Sequence, residues 1–378
     1  MLPLAKYRML DLSRQMPGPF CSALLADLGM DVLQVVNPAD PLGAGLPLLG
    51  RNKRNMTLNL KTEAGREILL RLVDDADVFL EGARPGVMRR LGCAYETLRE
   101  RNPRLVYCSI TGYGIDGPYR DRVGHDANYL GYAGVLNFVG SHGGPPVIPQ
   151  LQFADIGAGA LTAFGGILAA LLARAETGRG QYVDIAMLDG SFPFAVYPML
   201  LRQTLGREPE RGTGQPSGYH PCYAVYETRD GRHLTIGAYE EHFWARLCRI
   251  FGREDFIPRQ WEDGEIREEM FRFFRARFCE KTLSEWTREL EGEEICFGPV
   301  ATMSEAFDDP QLRHRGMVVE IDTPLGRMKT FGVPMKLSET PGSIRSGAPA
   351  LGEHTDAVLA GLGYSAADIA RLRAEGVL

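Results

Sequence analysis

The first half of the chain alternates strand-like and helix-like segments, and this alternation constrains the fold more than any other feature. At this spacing the pattern predicts a parallel β-sheet covered by helices on both faces, which is an α/β fold. The predicted strands span residues 7–13, 31–38, 77–82 and 105–112, and the predicted helices span residues 17–29, 62–76 and 95–102.

Parallel sheets of this type bind ligands in the loops that follow the carboxyl ends of their strands. Three segments fall at those positions: residues 15–18, 82–85 and 120–134. The first of them carries prolines and lacks GxGxxG, which argues against a standard dinucleotide-binding loop. The third contains His125 next to Asp126, just before an apolar segment.

The second half of the chain has a different pattern. Residues 221–239 alternate apolar and polar side chains around Asp230-Gly231, which predicts a β-hairpin. Helical patterns follow at residues 240–251, 264–279 and 282–291. We therefore expect a smaller α+β domain at 221–310 and a large domain at 1–190 completed by 330–378, with linkers at 191–220 and 311–329.

Composition excludes several classes of protein. The chain has 378 residues with a net charge of −6 and no dominant block of Lys and Arg, so nucleic acid is not expected as a partner. Its seven cysteines are an odd number and form no CxxC, so neither a disulfide framework nor a metal site is expected. The N-terminus lacks the apolar region of a signal peptide, and a cytoplasmic location is expected.

One apolar run, residues 156–173, has the composition of a membrane span but barely the length. Its four glycines and several alanines favour a helix packed in a globular core, so no membrane association is expected.

Asp155 precedes this run. It could be a helix N-cap, or it could be a functional carboxylate. Gly157, Gly159 and the first N–H groups of the helix would then face a ligand and hold an oxyanion.

His125 differs from the other histidines because it lies beside Asp126 at the predicted ligand edge. An imidazole there can take or give a proton near neutral pH. Basic residues around the strand near position 55 could hold a polyphosphate, although solvated surface side chains are the usual explanation for residues of this kind. These residues are Arg51, Lys53, Arg54 and Lys61.

Ordered blocks along nearly the whole chain resemble the family III (CaiB/BaiF-type) CoA-transferases, and within them the alpha-methylacyl-CoA racemases. The blocks are LDLSRQMPGPFCSALLADLGMDV, RNKRNMTLNLKTEAG, EGARPGVMRRLG, ITGYGIDGPYRDRVGHDANYL, ADIGAG, TGRGQYVDIAMLDG, DDPQLRHRGMVVE, KLSETPG and the tail from LGEHTDAVLAG. The resemblance implies a Rossmann-like large domain, a small domain and an interlocked homodimer. Each active site would then combine the large domain of one subunit with the small domain of the other.

The resemblance also implies roles for residues. His125 and Asp155 would be the proton-transfer pair, with Glu240 supporting the histidine from the small domain. Asn37 stands where relatives usually carry a charged residue that meets the CoA nucleotide. The implied CoA contacts are Leu58, Asn59, Leu60, Lys61, Gly82, Ala83, Arg84, Arg90, Gly124, Asp126 and Tyr129.

The function that the resemblance implies is inversion of the α carbon of a 2-methylacyl-CoA by 1,1-proton transfer through an enolate. CoA enters as part of the substrate, and no tightly bound cofactor is expected. The glycine-rich loop of formyl-CoA-type transferases is missing after the hairpin, which favours the racemase. Two alternatives stay open: a CoA-transferase with an acyl adduct on Asp155, and a non-catalytic acyl-CoA-binding protein.

Overall fold

A computed structural model describes residues 1–40, 45–214 and 216–378. The chain forms two compact units. The first, called the large unit, comprises Met1–Val135, Gln150–Phe194 and Pro310–Leu378. The second, called the small unit, comprises Leu136–Pro149 and Ala195–Asp309.

The large unit is built on a parallel sheet, which confirms the predicted α/β class. Within the described residues the sheet has six strands in the order β3-β2-β1-β4-β5-β6. This is the strand order of dinucleotide-binding Rossmann folds, and its topological switch point lies between β1 and β4. The strands are β1 (Arg8–Asp11), β2 (Asp31–Val36), β3 (Lys53–Thr57), β4 (Val78–Glu81), β5 (Val106–Thr111) and β6 (Tyr182–Ala186).

Helices connect these strands and cover the sheet. The first seven α-helices belong to the large unit, and a π-helix, Phe153–Leu161, directly precedes α6. The α-helices are α1 (Pro17–Asp27), α2 (Glu63–Val73), α3 (Val87–Arg90), α4 (Tyr95–Arg101), α5 (Asp126–Tyr132), α6 (Thr162–Thr177), α7 (Met187–Ser191), α8 (Val196–Leu205), α9 (Glu241–Ile250), α10 (Glu265–Phe278), α11 (Leu283–Leu290), α12 (Met303–Asp308), α13 (Pro310–His314), α14 (Thr355–Gly361) and α15 (Ala366–Ala374).

The central strands are buried on both faces, as a sheet between two helical layers requires. Every residue of β4 and β5 is buried. Two of the predicted helices begin at residues that favour a helix start. Pro17 is the first residue of α1, and the Thr62 hydroxyl accepts the Gly65 N–H at the start of α2. The predicted strands and helices of this half therefore all occur, with ends shifted by a few residues.

The C-terminal segment packs onto the edge of the sheet at β3. The Asn55 carbonyl accepts the N–H of His354 at 2.9 Å, and Thr57 N–H donates to the hydroxyl of Thr355 at 3.0 Å. Farther along, the carbonyl of Val377 accepts the N–H of Asn59 at 2.8 Å. Residues 330–378 thus complete the large unit.

The boundaries between the units differ from the predicted ones. Residues 136–149, expected in the large domain, belong to the small unit. The expected linker at 191–220, in which Gln215 is outside the described residues, contains α8. The expected linker at 311–329 lies in the large unit, where β10 (Val318–Thr323) and β11 (Gly326–Phe331) form an antiparallel hairpin.

The small unit contains the predicted hairpin, and a third strand extends it. Strands β7 (Tyr223–Glu227) and β8 (His233–Gly237) pair antiparallel, and β9 (Phe297–Pro299) pairs with β8. Gly231 takes a φ of 69° in the turn, a conformation that glycine adopts without a steric penalty. Helices α9, α10 and α11 pack on the hairpin through a largely aromatic core that includes Trp244, Phe274, Phe278 and Trp286.

Two of the basic residues near β3 are buried rather than solvated. Arg51 forms an ion pair with Asp27, with Nη2 and Oδ2 2.7 Å apart and both side chains completely buried. Lys53 donates from Nζ to the Ser22 hydroxyl at 2.7 Å, and burial lowers the pKa of this amine. Neither side chain is available to a polyphosphate.

The apolar run forms the π-helix and α6, together Phe153–Thr177. Among the residues that the structure describes, this is the one helix that is long and apolar enough to cross a membrane, judged by length and composition alone. One face, including Ala163 and Ile167, is buried, whereas Leu161 and Leu172 are exposed. The prediction of a core helix therefore holds for one face and is wrong for the other.

Candidate active site

His125 follows the carboxyl end of β5 and stands at the N-cap of α5. Its N–H donates to the Asn128 side-chain oxygen at 3.0 Å, which closes the first turn of the helix. The imidazole is exposed. Because the backbone N–H and the carbonyl of His125 are both hydrogen-bonded, the imidazole extends from an ordered helix start rather than from an irregular loop.

The residue before His125, Gly124, is closely packed by two tyrosine side chains. A Cβ atom on Gly124 would lie 2.8 Å from the Tyr113 hydroxyl and 2.9 Å from the Tyr129 ring. The Tyr129 hydroxyl also donates to the Gly124 carbonyl at 2.6 Å. These contacts hold the backbone that carries the imidazole.

Asp155 is the third residue of the π-helix Phe153–Leu161, and the N-cap position belongs to Gln152. The N-cap interpretation of Asp155 is therefore wrong. π-Helical geometry is rare in proteins and occurs frequently at functional sites. Among the described residues, no hydrogen bond to the Asp155 carboxylate is formed.

Asp155 and His125 lie in the same site, because helix α5 packs against the π-helix. The backbone N–H of Asp155 donates to Oδ2 of Asp126 at 2.9 Å. Partial burial raises the pKa of the Asp155 carboxyl group to about 6; the nearby Asp126 charge also raises it, and His125 opposes them. A carboxyl group with that pKa can both accept and return a proton near neutral pH.

The two glycines after Asp155 do not open a path for a ligand. A Cβ atom on Gly157 would lie 2.9 Å from the Phe194 ring, and one on Gly159 would lie 3.1 Å from both Met187 and Pro17. Their small size lets the π-helix pack closely against its neighbours. The expectation that these two glycines let a ligand approach closely is therefore wrong.

Two of the backbone donors expected to hold an oxyanion are already occupied. Asp155 N–H is bound by Asp126, and Ile156 N–H donates to the Gln152 carbonyl at 3.0 Å. These two groups therefore cannot stabilise an enolate without first losing their present partners.

The residues implied as CoA contacts follow the carboxyl ends of three parallel strands. Leu58, Asn59, Leu60 and Lys61 follow β3, Gly82, Ala83, Arg84 and Arg90 follow β4, and Gly124, Asp126 and Tyr129 follow β5. Parallel strands direct these ends to one edge of the sheet, and β4 borders the switch point. The topology therefore directs the segments that follow β3, β4 and β5 to one edge of the sheet.

Several of these residues already have partners within the chain. Leu58 is buried, and the Asn59 amide donates to the Gly376 carbonyl at 3.1 Å. Ala83 N–H donates to the Glu81 carboxylate at 2.6 Å, and Tyr129 is buried. In contrast, the side chains of Lys61, Arg84 and Arg90 are exposed. These three are the cationic members of the set, and each is accessible to solvent.

Glu240 and Asn37 are the last two residues predicted from the sequence. Glu240 belongs to the small unit, where it is exposed at the N-cap of α9. Asn37 follows β2, and its side-chain oxygen accepts the Ala39 N–H at 2.9 Å. Asn37 therefore shapes its own turn.

Sequence reasoning missed two features of the site. One is the bond from Asp126 to Asp155, which no local pattern signals because 29 positions separate the residues. The other is an aromatic cluster that braces the loop before His125: Arg122 lies 3.8 Å over the Tyr119 ring, and Tyr113 packs edge-on against Tyr119 and Tyr132. The high density of tyrosines between positions 113 and 132 could have indicated this aromatic cluster from the sequence.

No group of three or more His, Cys, Asp or Glu side chains with metal-binding geometry occurs in the described part of the chain. All seven cysteines are free.

Known proteins that are similar in sequence and structure identify the family of this chain. Residues 4–355 match the family model described as CoA-transferase family III. The chain belongs to CoA-transferase family III. A CaiB/BaiF family protein from Brucella suis has the same fold, with a TM-score of 0.83 and 29% identity over 95% of this chain and 99% of that one.

The curated relatives of this family III chain carry two kinds of name. Alpha-methylacyl-CoA racemase of Mus musculus is 35% identical and matches 98% of this chain and 96% of its own length. Succinyl-CoA:glutarate CoA-transferase of Mus musculus is 31% identical and matches 100% of this chain and 91% of its own length. The chain is thus an enzyme of a family that contains both racemases and CoA-transferases.

Proposed function

We propose that this family III enzyme is an acyl-CoA racemase that inverts the α carbon of 2-methylacyl-CoA thioesters. The observation that carries the proposal is the pairing of His125 with a half-buried Asp155 carboxyl group whose pKa is about 6. A 1,1-proton transfer needs two groups that exchange the roles of base and acid, and this pair has the required chemistry.

In the proposed reaction His125 and Asp155 face opposite sides of the α carbon. One group removes the α proton, the thioester becomes an enolate, and the other group delivers a proton to the opposite face. With the other enantiomer the two groups exchange roles. Each positioned acid or base typically contributes about 10²–10⁴-fold to the rate. The acidity of Asp155 suits this exchange, because a carboxyl group with an ordinary pKa would return a proton less readily.

The CoA portion of the substrate is proposed to lie along the edge formed by the segments after β3, β4 and β5. Lys61, Arg84 and Arg90 are exposed there, and cationic side chains suit the phosphates of CoA. The thioester end would then reach His125. Because CoA enters as part of the substrate, the proposal includes no tightly bound cofactor.

We further propose that the enzyme works as an interlocked homodimer in which Glu240 of one subunit supports His125 of the other. Exposed apolar side chains on the large unit support a partner of this kind, since a monomer rarely exposes large apolar patches. These side chains are Phe153, Leu161, Leu172, Phe192 and Phe194. Light scattering at micromolar concentration tests the dimer.

A CoA-transferase is the second candidate, and one observation favours it. The Asp155 carboxylate accepts no hydrogen bond among the described residues, so its oxygens are also available to attack a thioester. Relatives named CoA-transferase match almost the whole chain. In this reaction Asp155 would form an acyl adduct, and CoA would pass to a second carboxylic acid.

One experiment separates these functions. The enzyme is incubated with a single enantiomer of a 2-methylacyl-CoA in D₂O, without an acceptor acid. Deuterium at the α carbon together with loss of optical purity supports the racemase. Turnover that requires an added carboxylic acid, with no α-deuteration, supports the transferase. Binding of acyl-CoA with neither result supports a non-catalytic binding protein.

A further inference from the structure

The side chain of Asp126 links two helix starts. Asp126 is the first residue of α5, where an aspartate commonly favours the N–H groups of its own helix. Here its Oδ2 instead accepts the N–H of Asp155 at 2.9 Å. Within the described residues, no other hydrogen bond joins α5 to the π-helix that carries Asp155.

This link connects the backbones that carry the two reacting groups. His125 directly precedes Asp126, and its own N–H is held by Asn128. The peptide unit at Asp155 is held by Asp126. A change in the position of α5 relative to the π-helix would therefore have to break the bond to Asp126 first.

We propose that Asp126 is a positioning residue that sets the spacing between the His125 imidazole and the Asp155 carboxyl group. This inference rests on the proposed proton transfer. It assigns the Asp126 side chain to holding the catalytic pair, in place of the CoA contact implied by resemblance.

The charge of Asp126 has a second effect on the same pair. A carboxylate beside Asp155 disfavours a second negative charge, so it adds to the effect of burial and raises the pKa of Asp155. His125 acts in the opposite direction. Asp126 therefore influences both the position of Asp155 and the pH at which Asp155 becomes a base.

Two variants separate position from charge. Asp126→Asn keeps an oxygen that can accept the Asp155 N–H but removes the charge. Asp126→Ala removes both. Asp121→Asn is a matched control, because Asp121 lies in the same segment with its side chain 80% exposed. The unfolding temperature of each variant shows whether it folds.

The kinetic readout is α-proton exchange into 2-methylacyl-CoA as a function of pH. For Asp126→Ala we expect kcat to fall about 10–100-fold with little change in KM, since small misplacement of reacting groups costs up to about 10²-fold. For Asp126→Asn we expect a smaller loss, with the acid limb of the pH profile moved to lower pH. Asp121→Asn should match the wild type. A rise in KM with unchanged kcat in Asp126→Ala would instead identify Asp126 as a CoA contact and overturn the proposal.

A second readout does not depend on the reaction. Amide hydrogen exchange at Asp155, measured by NMR on protein with ¹⁵N-labelled aspartate, should be fast in Asp126→Ala and protected in the wild type and Asp126→Asn. Carboxyl ¹³C titration should give a lower pKa for Asp155 in Asp126→Asn. If the wild-type enzyme exchanges no α protons, the proposed racemase fails, whereas these measurements still test the link. Unchanged protection in Asp126→Ala would overturn it.

Discussion

His125 and Asp155 belong to two different helix starts, yet the imidazole is close enough to lower the pKa of the Asp155 carboxyl group. Burial and Asp126 act in the opposite direction and prevail, so the pKa is about 6. The balance leaves a carboxyl group that changes protonation near neutral pH.

Replacing His125 should remove one of the two proton carriers. For His125→Ala we expect α-proton exchange to fall by about 10²–10⁴-fold, the contribution of one positioned acid or base. CoA binding, measured by calorimetry, should change little, because in the proposed arrangement Lys61, Arg84 and Arg90 hold the phosphates and His125 does not. His142→Ala, which replaces a histidine of the small unit, is the matched control. Wild-type exchange by His125→Ala would exclude His125 from the mechanism.

Replacing Asp155 should lower activity but raise stability. The Asp155 pKa is about 6 in the folded protein against 3.8 for an ordinary aspartate. The unfolded chain thus loses this proton first as pH rises, and stability falls between about pH 4 and 6. After a discount for partial solvent exposure, Asp155→Asn should add about 1 kcal/mol to the free energy of unfolding at pH 8. At pH 4, where the folded group is neutral, urea denaturation should show little difference.

The rate of proton abstraction should depend on the ionisation of Asp155. In the direction in which Asp155 is the base, kcat/KM should fall about tenfold per pH unit below about pH 6, because protonation removes the base. The midpoint belongs to the coupled pair rather than to one residue alone. Acyl-CoA binding over the same pH range is the control. A rate independent of pH between 5 and 7 would contradict the assignment of Asp155 as a base.

Glu240 should support the chemistry without holding CoA. For Glu240→Gln we expect a drop of about tenfold or more in kcat with a nearly unchanged KM, since a lost hydrogen bond to a charged group is worth about 1.5–3 kcal/mol. Glu241→Gln is the control, because Glu241 is the exposed neighbour in the first turn of α9. Equal rates for the two variants would remove Glu240 from the proposed site.

The ion pair between Arg51 and Asp27 should be important for folding. Arg51 also donates to the Phe331 carbonyl at 2.8 Å, so it ties α1 to the C-terminal segment. Arg51→Ala would leave the buried Asp27 carboxylate without its ion-pair partner, although the Asn52 amide would still donate to it, and we expect a loss of about 3–5 kcal/mol in the free energy of unfolding. Arg54→Ala removes the half-exposed pair with Asp31 and should cost less than about 1 kcal/mol. Similar losses for both variants in denaturant titrations would contradict this.

Local sequence patterns were sufficient for most of the secondary structure. The alternation of strands and helices in residues 7–112 and the Asp230-Gly231 hairpin are periodic or turn signals that neighbouring residues generate. The third strand of the small unit, β9, was missed because three residues give no usable period. The unit boundaries were misplaced because residues 136–149 join the small unit through contacts distant in sequence.

The sequence by itself determined the parallel α/β sheet, the hairpin of the small unit and the family, and it singled out His125 and Asp155. Only the tertiary structure decided that Asp155 stands in a π-helix rather than at an N-cap, that Gly157 and Gly159 serve packing, and that Asp126 holds the Asp155 backbone. Strands and helices arise from interactions over a few residues. Burial and hydrogen bonds between helix starts arise only when the sheet brings distant segments together, so no local pattern encodes them.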